Sequence, residues 1–134
     1  MSHYDVRARS AAGVATVFGL VTDVSSWPSW QRIDRVRPQG EEWVVGGSPT
    51  TVIRVVDVVP DRSLTYVETS GTLWHDYRST IELTPADGGG TDIRWHATFR
   101  SRHALLSRFW PWYLRREMRG NADRLARRAE SIHR

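Results

Sequence analysis

The sequence predicts an α+β fold in which short antiparallel strands fill the middle of the chain and a long helix closes it. Three observations carry that reading. Between Ile33 and Arg100, apolar-rich runs are separated by turn residues at close intervals. Before them lies one amphipathic helical segment, and after them Leu114, Met118, Ala122, Leu125, Ala129 and Ile132 recur every three or four positions. A chain of 134 residues matches one ordinary domain, the organisation expected from residue 1 to 134.

Taken in order, His3 to Arg9 alternates, with Tyr4, Val6 and Ala8 on one face, and reads as a first strand. Ser10 is placed to cap a helix over Ala11 to Val21, where Val14, Val17, Phe18 and Val21 hold helical spacing and Asp23 follows as a stop. Ser25 to Trp30, with Pro28 near a first-turn position, adds a second short helix or turn. Six strands follow: Ile33 to Arg37, Glu42 to Val45, Thr50 to Val59, Ser63 to Thr69, Leu73 to Leu83 and Thr91 to Arg100. They are punctuated by Pro38-Gln39-Gly40, Gly46-Gly47, Pro60-Asp61-Arg62, Ser70-Gly71 and Pro85 to Gly90, and connections this short pair strands antiparallel. Pro111 ends or kinks any helix arriving from Ala104 to Trp110. A seven-stranded sheet must bury one face, and the stripe of the last helix is the cover available.

Composition narrows the function. No stretch reaches the roughly 18 apolar residues of a membrane span, and the N-terminus lacks the basic and apolar regions of a secretory signal, so a cytoplasmic location is expected. Without cysteine there is no disulfide or thiolate chemistry. All 19 basic residues are arginine, and from Arg102 to Arg134 nine arginines face Glu117, Asp123 and Glu130, making the tail a basic face on a nearly neutral body. Nucleic-acid binding needs a docking element or stacking platform besides charge; the chain offers none, and nucleic acid is not an expected partner. Gly88-Gly89-Gly90 lacks the spacing and following helix of a phosphate loop.

The segment from Val17 to Trp30, VFGLVTDVSSWPSW, resembles the start of the START-like (Bet v 1-type) helix-grip superfamily, notably its bacterial polyketide cyclase/dehydrase and lipid-transport group. Pro60 to Tyr66, and Leu83-Thr84-Pro85 leading to Gly90-Thr91-Asp92-Ile93, are similar to that group's turn into the fifth strand and its penultimate hairpin. The resemblance implies a curved antiparallel sheet gripping the last helix, two short helices after the first strand, and a cavity for an apolar or amphipathic ligand. No cofactor is implied. One activity is not implied either, since sites are grafted on folds.

Alternation sorts the pocket candidates, provided no bulge intervenes. On the strand from Leu73, His75, Tyr77 and Ser79 share a face with Ile81 and Leu83, while Trp74 and Asp76 fall opposite. On the next strand Ile93, Trp95, Ala97 and Phe99 face in and His96 faces out. Tyr66 shares a face with Leu64 and Glu68, leaving Glu68 either in the cavity or beyond the edge of the core. Thr50 to Val59 is too evenly apolar for its faces to be told apart. Trp110, Leu114, Glu117, Met118 and Asn121 lie on one broad helix face, where a buried carboxylate or amide needs partners and a polar part of a ligand could supply them. Among seven tryptophans, Trp30 and Trp95 suit core packing, Trp43, Trp110 and Trp112 the pocket mouth, and Trp27 and Trp74 the surface.

Nucleophilic and metal chemistry find no support: there is no nucleophile elbow, and the five histidines have neither helical i, i+4 spacing nor a partner motif, so no metal site is expected. General acid/base chemistry is the enzymatic reading, kept open by the resemblance. A cyclase or dehydratase needs a base near an acidic carbon and a donor for the enolate oxygen, roles open to His75 and Tyr77, with Glu117 or Asn121 orienting the substrate. The leading reading is that His75 and Tyr77 are structural and the chain binds a small hydrophobic or amphipathic molecule, lipid- or polyketide-like, between the sheet and the last helix, with the cyclase or dehydratase as its alternative. The arginines around the last helix allow at most transient contact with an anionic membrane once the apolar stripe is buried.

Overall fold

A computed structural model describes residues 1–46, 51–71 and 73–132. Among these residues seven antiparallel strands form one curved sheet in the order β1-β7-β6-β5-β4-β3-β2. They are β1 (Ser2–Ser10), β2 (Val36–Gln39), β3 (Glu42–Val45), β4 (Thr51–Val59), β5 (Ser63–Ser70), β6 (Trp74–Pro85) and β7 (Thr91–Ser101). The helix α1 (Val14–Thr22) and a 3-10 helix (Val24–Ser29) follow β1, and the chain ends in α2 (Phe109–Ile132). The expected strand start at Thr50, and the Gly47 half of the Gly46-Gly47 turn, lie outside the described residues.

The long helix packs chiefly along β1 and touches α1 and β7. Its inner stripe combines Leu114, Met118 and Leu125 with Ala122, Ala126 and Ala129, all buried. Alanines let the helix backbone approach the strand closely, and Ser10 Oγ donates to the Ala126 carbonyl at 2.8 Å. The same Oγ accepts from Ala12 N–H at 3.2 Å, so Ser10 fastens β1 to α2 and is not the helix cap expected of it. The helix α1 begins after Gly13 with no side-chain cap, and Asp23 ends it. Thr91 Oγ1 adds a bond to the Ala12 carbonyl at 2.8 Å.

Pro111 lies in the first turn of α2, where the first four N–H groups have no helical partner and a missing one removes no bond. A separate 3-10 turn (Ala104–Leu106) precedes it, so there are two segments as expected, but the break falls at Ser107 and Arg108 and Pro111 itself does not end a helix. The first expected strand of the meander starts later, at Val36, and runs through Pro38 and Gln39; as an edge strand it tolerates a proline.

The core is aromatic. Trp27 is 1% exposed, its Nε1 donating to the Val21 carbonyl at 3.1 Å, and its ring meets Trp30 at 6.1 Å and Tyr66 at 5.4 Å between centroids. Trp30 in turn meets Trp95 at 5.9 Å. Trp27 is therefore a core residue and not the surface residue expected, because the 3-10 turn rolls its ring under the sheet. Each such side chain withdrawn from water stabilises the fold by about 2–3 kcal/mol.

Candidate functional site

A bulge in β6 decides which of its residues reach the interior. Between His75 paired with Arg100 and Arg78 paired with Thr98, β6 advances three residues while β7 advances two. Asp76 takes up the extra residue at φ 53°, a left-handed conformation that aspartate tolerates better than most. Consequently Trp74 and Tyr77 both turn inward, their rings 5.5 Å apart, while His75 and Asp76 are exposed. Two expectations are corrected here: Trp74 is not a surface residue, and His75 does not face the cavity. Below the bulge alternation resumes, with Ser79, Ile81 and Leu83 buried.

Between the sheet and the first half of α2 lies a cavity of about 270 Å³. Of the expected ligand contacts, Tyr66, Glu68, Tyr77, Leu114, Glu117, Met118 and Asn121 line it. The others do not. Ser79, Trp95 and Phe99 are fully buried behind the wall, Trp43 and Trp110 are half-buried against the core, and Trp112 is exposed. Unforeseen in the sequence were Trp27, Gln31, Arg32, Ile33, Val45, Thr51, Ile53, Trp74 and Tyr113. For Trp74 the signal was available in principle, an aspartate two residues on that could seat a bulge. For Gln31 to Ile33, in the loop between the 3-10 helix and β2, only tertiary folding brings them to α2.

The polar residues of α2 are held by that loop. Asn121, 5% exposed, accepts the Arg32 N–H at 3.2 Å and a bond from Arg124 Nη2, and its own amide donates to Met118 Sδ at 3.4 Å. Arg124 Nε reaches the Trp30 carbonyl at 3.2 Å. Glu117 pairs with Arg32 at 3.4 Å. The two anomalies of the helical stripe thus find protein partners, and Arg32 ties the loop to the helix at both.

Behind the cavity wall a closed phenol network replaces the open donor expected at Tyr77. Tyr4 and Tyr77 hydroxyls lie 2.5 Å apart, Tyr4 is 3.3 Å from Ser79 Oγ, and Ser79 accepts Trp95 Nε1 at 2.8 Å. Burial raises the Tyr4, Tyr66 and Tyr77 phenols above their ordinary range, which keeps all three neutral.

Among the described residues Glu68 has no such partner. It sits half-buried on the wall, where desolvation raises its carboxyl from 4.5 to about 7 despite the opposing charge of Arg102. On the cavity-lining residues two further polar groups are unspent: Gln31 Nε2 and Trp74 Nε1 are buried without a hydrogen-bond partner among the described residues. Among the described residues no group of three or more histidine or acidic side chains could hold a metal ion, and no helix is long and apolar enough to cross a membrane.

Solved structures share this architecture. The protein XoxI from Bacillus cereus is 15% identical with a TM-score of 0.86, covering 100% of this chain and 99% of that one. A START superfamily protein from Mycobacterium smegmatis is 11% identical with a TM-score of 0.85, over 98% and 99% of the two chains. The Zhui aromatase/cyclase from Streptomyces sp. R1128 is 15% identical with a TM-score of 0.83, over 98% and 95%. At these identities the likeness is one of fold alone, a helix-grip fold. A search of curated sequences found no match. The profile of the family described as polyketide cyclase / dehydrase and lipid transport matches residues 1–130, and the chain belongs to that family. The fold is of the ligand-binding, helix-grip kind.

Proposed function

We propose that residues 1–134 act as a single domain that binds one small hydrophobic or amphipathic molecule, lipid- or polyketide-like, between the sheet and α2. The carrying observation is the pair of unpartnered donors, Gln31 Nε2 and Trp74 Nε1, on residues of an otherwise largely apolar cavity. A buried donor left unpaired costs about 1–3 kcal/mol, and a ligand oxygen within reach relieves that cost. The ligand therefore carries an acceptor oxygen for one of these donors, with an apolar body to meet Ile33, Ile53, Leu114 and Met118. A volume of about 270 Å³ lies just below the usual range for small-molecule sites of roughly 300–1,000 Å³, which favours a compact ligand.

Native mass spectrometry of gently purified protein, with solvent extraction of the passenger, tests the reading. One apolar, oxygen-bearing molecule per chain supports it. Protein that carries no passenger and gives no saturable tryptophan-fluorescence change with fatty acids or aromatic polyketides overturns it.

Glu68 favours a second reading, that of a cofactor-independent cyclase or dehydratase. A carboxyl titrating near about 7 inside a cavity is suited to take a proton from an acidic carbon. With His75 exposed and the Tyr77 hydroxyl engaged by Tyr4, the base is Glu68 and the donor for the enolate oxygen is Trp74 Nε1 or Gln31 Nε2.

A further inference from the structure

The segment leading into α2 presents a surface unlike the rest of the molecule. Leu105, Leu106, Phe109, Trp112 and Tyr113 are all exposed, Leu105 at 98% and Trp112 at 56%. Phe109, Trp112 and Tyr113 form one aromatic stripe on the first two turns of the helix, with Phe109 stacked on Tyr113 at 5.5 Å and 6.0 Å from Trp112. This stripe is separate from the buried one that grips the sheet.

Arginines frame it. Arg102, Arg108, Arg115, Arg116 and Arg119 are exposed, and among the described residues none of them pairs with a carboxylate. The only acid from Ser101 to Arg119 is Glu117, which is engaged by Arg32. Arg116 lies 5.9 Å from the Trp112 ring centroid.

From this arrangement we infer that residues 102–119 form a docking surface for anionic phospholipid membranes. Tryptophan and tyrosine settle at the headgroup level, leucine and phenylalanine enter the acyl boundary, and unpaired arginines attract acidic headgroups. An almost fully exposed leucine on a short turn suits insertion into a fluid layer better than contact with a flat protein surface. The charge lies where the apolar side chains are, so both contributions act on one face. Tyr113 belongs to the exposed stripe and also lines the cavity, so docking brings the cavity mouth to the lipid. The surface stands on its own residues, whatever the cavity holds.

Co-sedimentation with phosphatidylcholine vesicles, with and without phosphatidylglycerol, tests the inference on the full chain. The wild type is expected to bind anionic vesicles at least about tenfold more tightly than neutral ones, and less tightly as salt rises. Each arginine near the bilayer contributes about fivefold, so R115E/R116E is expected to weaken binding at least tenfold. L105S/W112S, at exposed positions, is expected to lose binding while keeping the wild-type circular dichroism and melting curve. Failure of the wild type to bind anionic vesicles, or unchanged binding by both variants, overturns the inference. So does a concentration-dependent dimer that these substitutions dissolve in a protein that ignores vesicles, because the surface is then a contact between copies.

Discussion

The carboxyl of Glu68 lies across Gly71, so close that a β-carbon on Gly71 would stand 2.0 Å from Oε1 and 2.7 Å from Cδ. Glycine at the end of β5 thus leaves room for the acid to fold back along the cavity wall. The placement explains how a carboxyl comes to lose water without gaining a hydrogen bond, and it makes Glu68 the titrating group of the site.

Stability is expected to fall as pH rises through the window set by Glu68. Its folded-state value of about 7 is above the ordinary 4.5, so the folded protein holds a proton that the unfolded chain releases. The favourable contribution is complete below about 4.5 and is lost as pH climbs to about 7. Glu68→Gln removes this dependence, and its melting temperature should exceed that of the wild type at pH 8 but not at pH 4. Equal shifts at both values would count against it.

Gly71→Ala should displace the Glu68 side chain toward water. The acid is the far end of a flexible side chain, so stability should change by less than about 1 kcal/mol. The carboxyl titration, followed by NMR, should move from about 7 back toward 4.5. A midpoint that stays near 7 would show that Gly71 does not place the acid.

Ser79→Ala tests the phenol network. Ser79 Oγ accepts Trp95 Nε1 and meets Tyr4, and its loss leaves a buried indole N–H unpaired. Chemical denaturation should report a loss of about 1–3 kcal/mol with little effect on ligand affinity, since Ser79 lies behind the cavity wall.

If the chain turns over a polyketide, Glu68→Gln should lower the rate by two or more orders of magnitude, as expected for removal of a general base. His75→Ala should leave it unchanged, and the wild-type rate should rise with pH through about 7. Activity lost with His75 and kept without Glu68 would reverse the assignment.

Met118→Ala, on the cavity wall and nearly buried, should cost about 2–4 kcal/mol of stability and weaken apolar ligand binding. Unchanged affinity would place the ligand elsewhere.

How far the site was legible follows from the reach of each signal. On α2, helical period placed Leu114, Glu117, Met118 and Asn121 on the cavity side, because a helix repeats without interruption, but it also placed there Trp110, which packs against the core instead. On β5, two-residue alternation carried Tyr66 to the wall and left Glu68 open, since alternation names a face and not where the core ends. On β6 the same rule failed above Tyr77: one added residue at Asp76 exchanged Trp74 and His75 between faces. For β4, two register shifts, around Val52 and Val55, explain why an even run of valines and isoleucine showed no face at all.

The sequence by itself determined the α+β class, the seven strands, and the buried stripe of the last helix from Leu114 to Ala129, though not its expected end at Ile132, which is exposed, because these depend on local backbone preferences and on periodicity within one element. Tertiary structure decided the rest. The loop from Gln31 to Ile33 reaches the cavity through bonds to residues some 85–89 positions away, Ser10 becomes a tie to α2, and Glu68 owes its proton affinity to the apolar walls that other elements bring around it. Burial, desolvation and unpaired donors belong to no single segment, and they arise only when distant segments exclude water together.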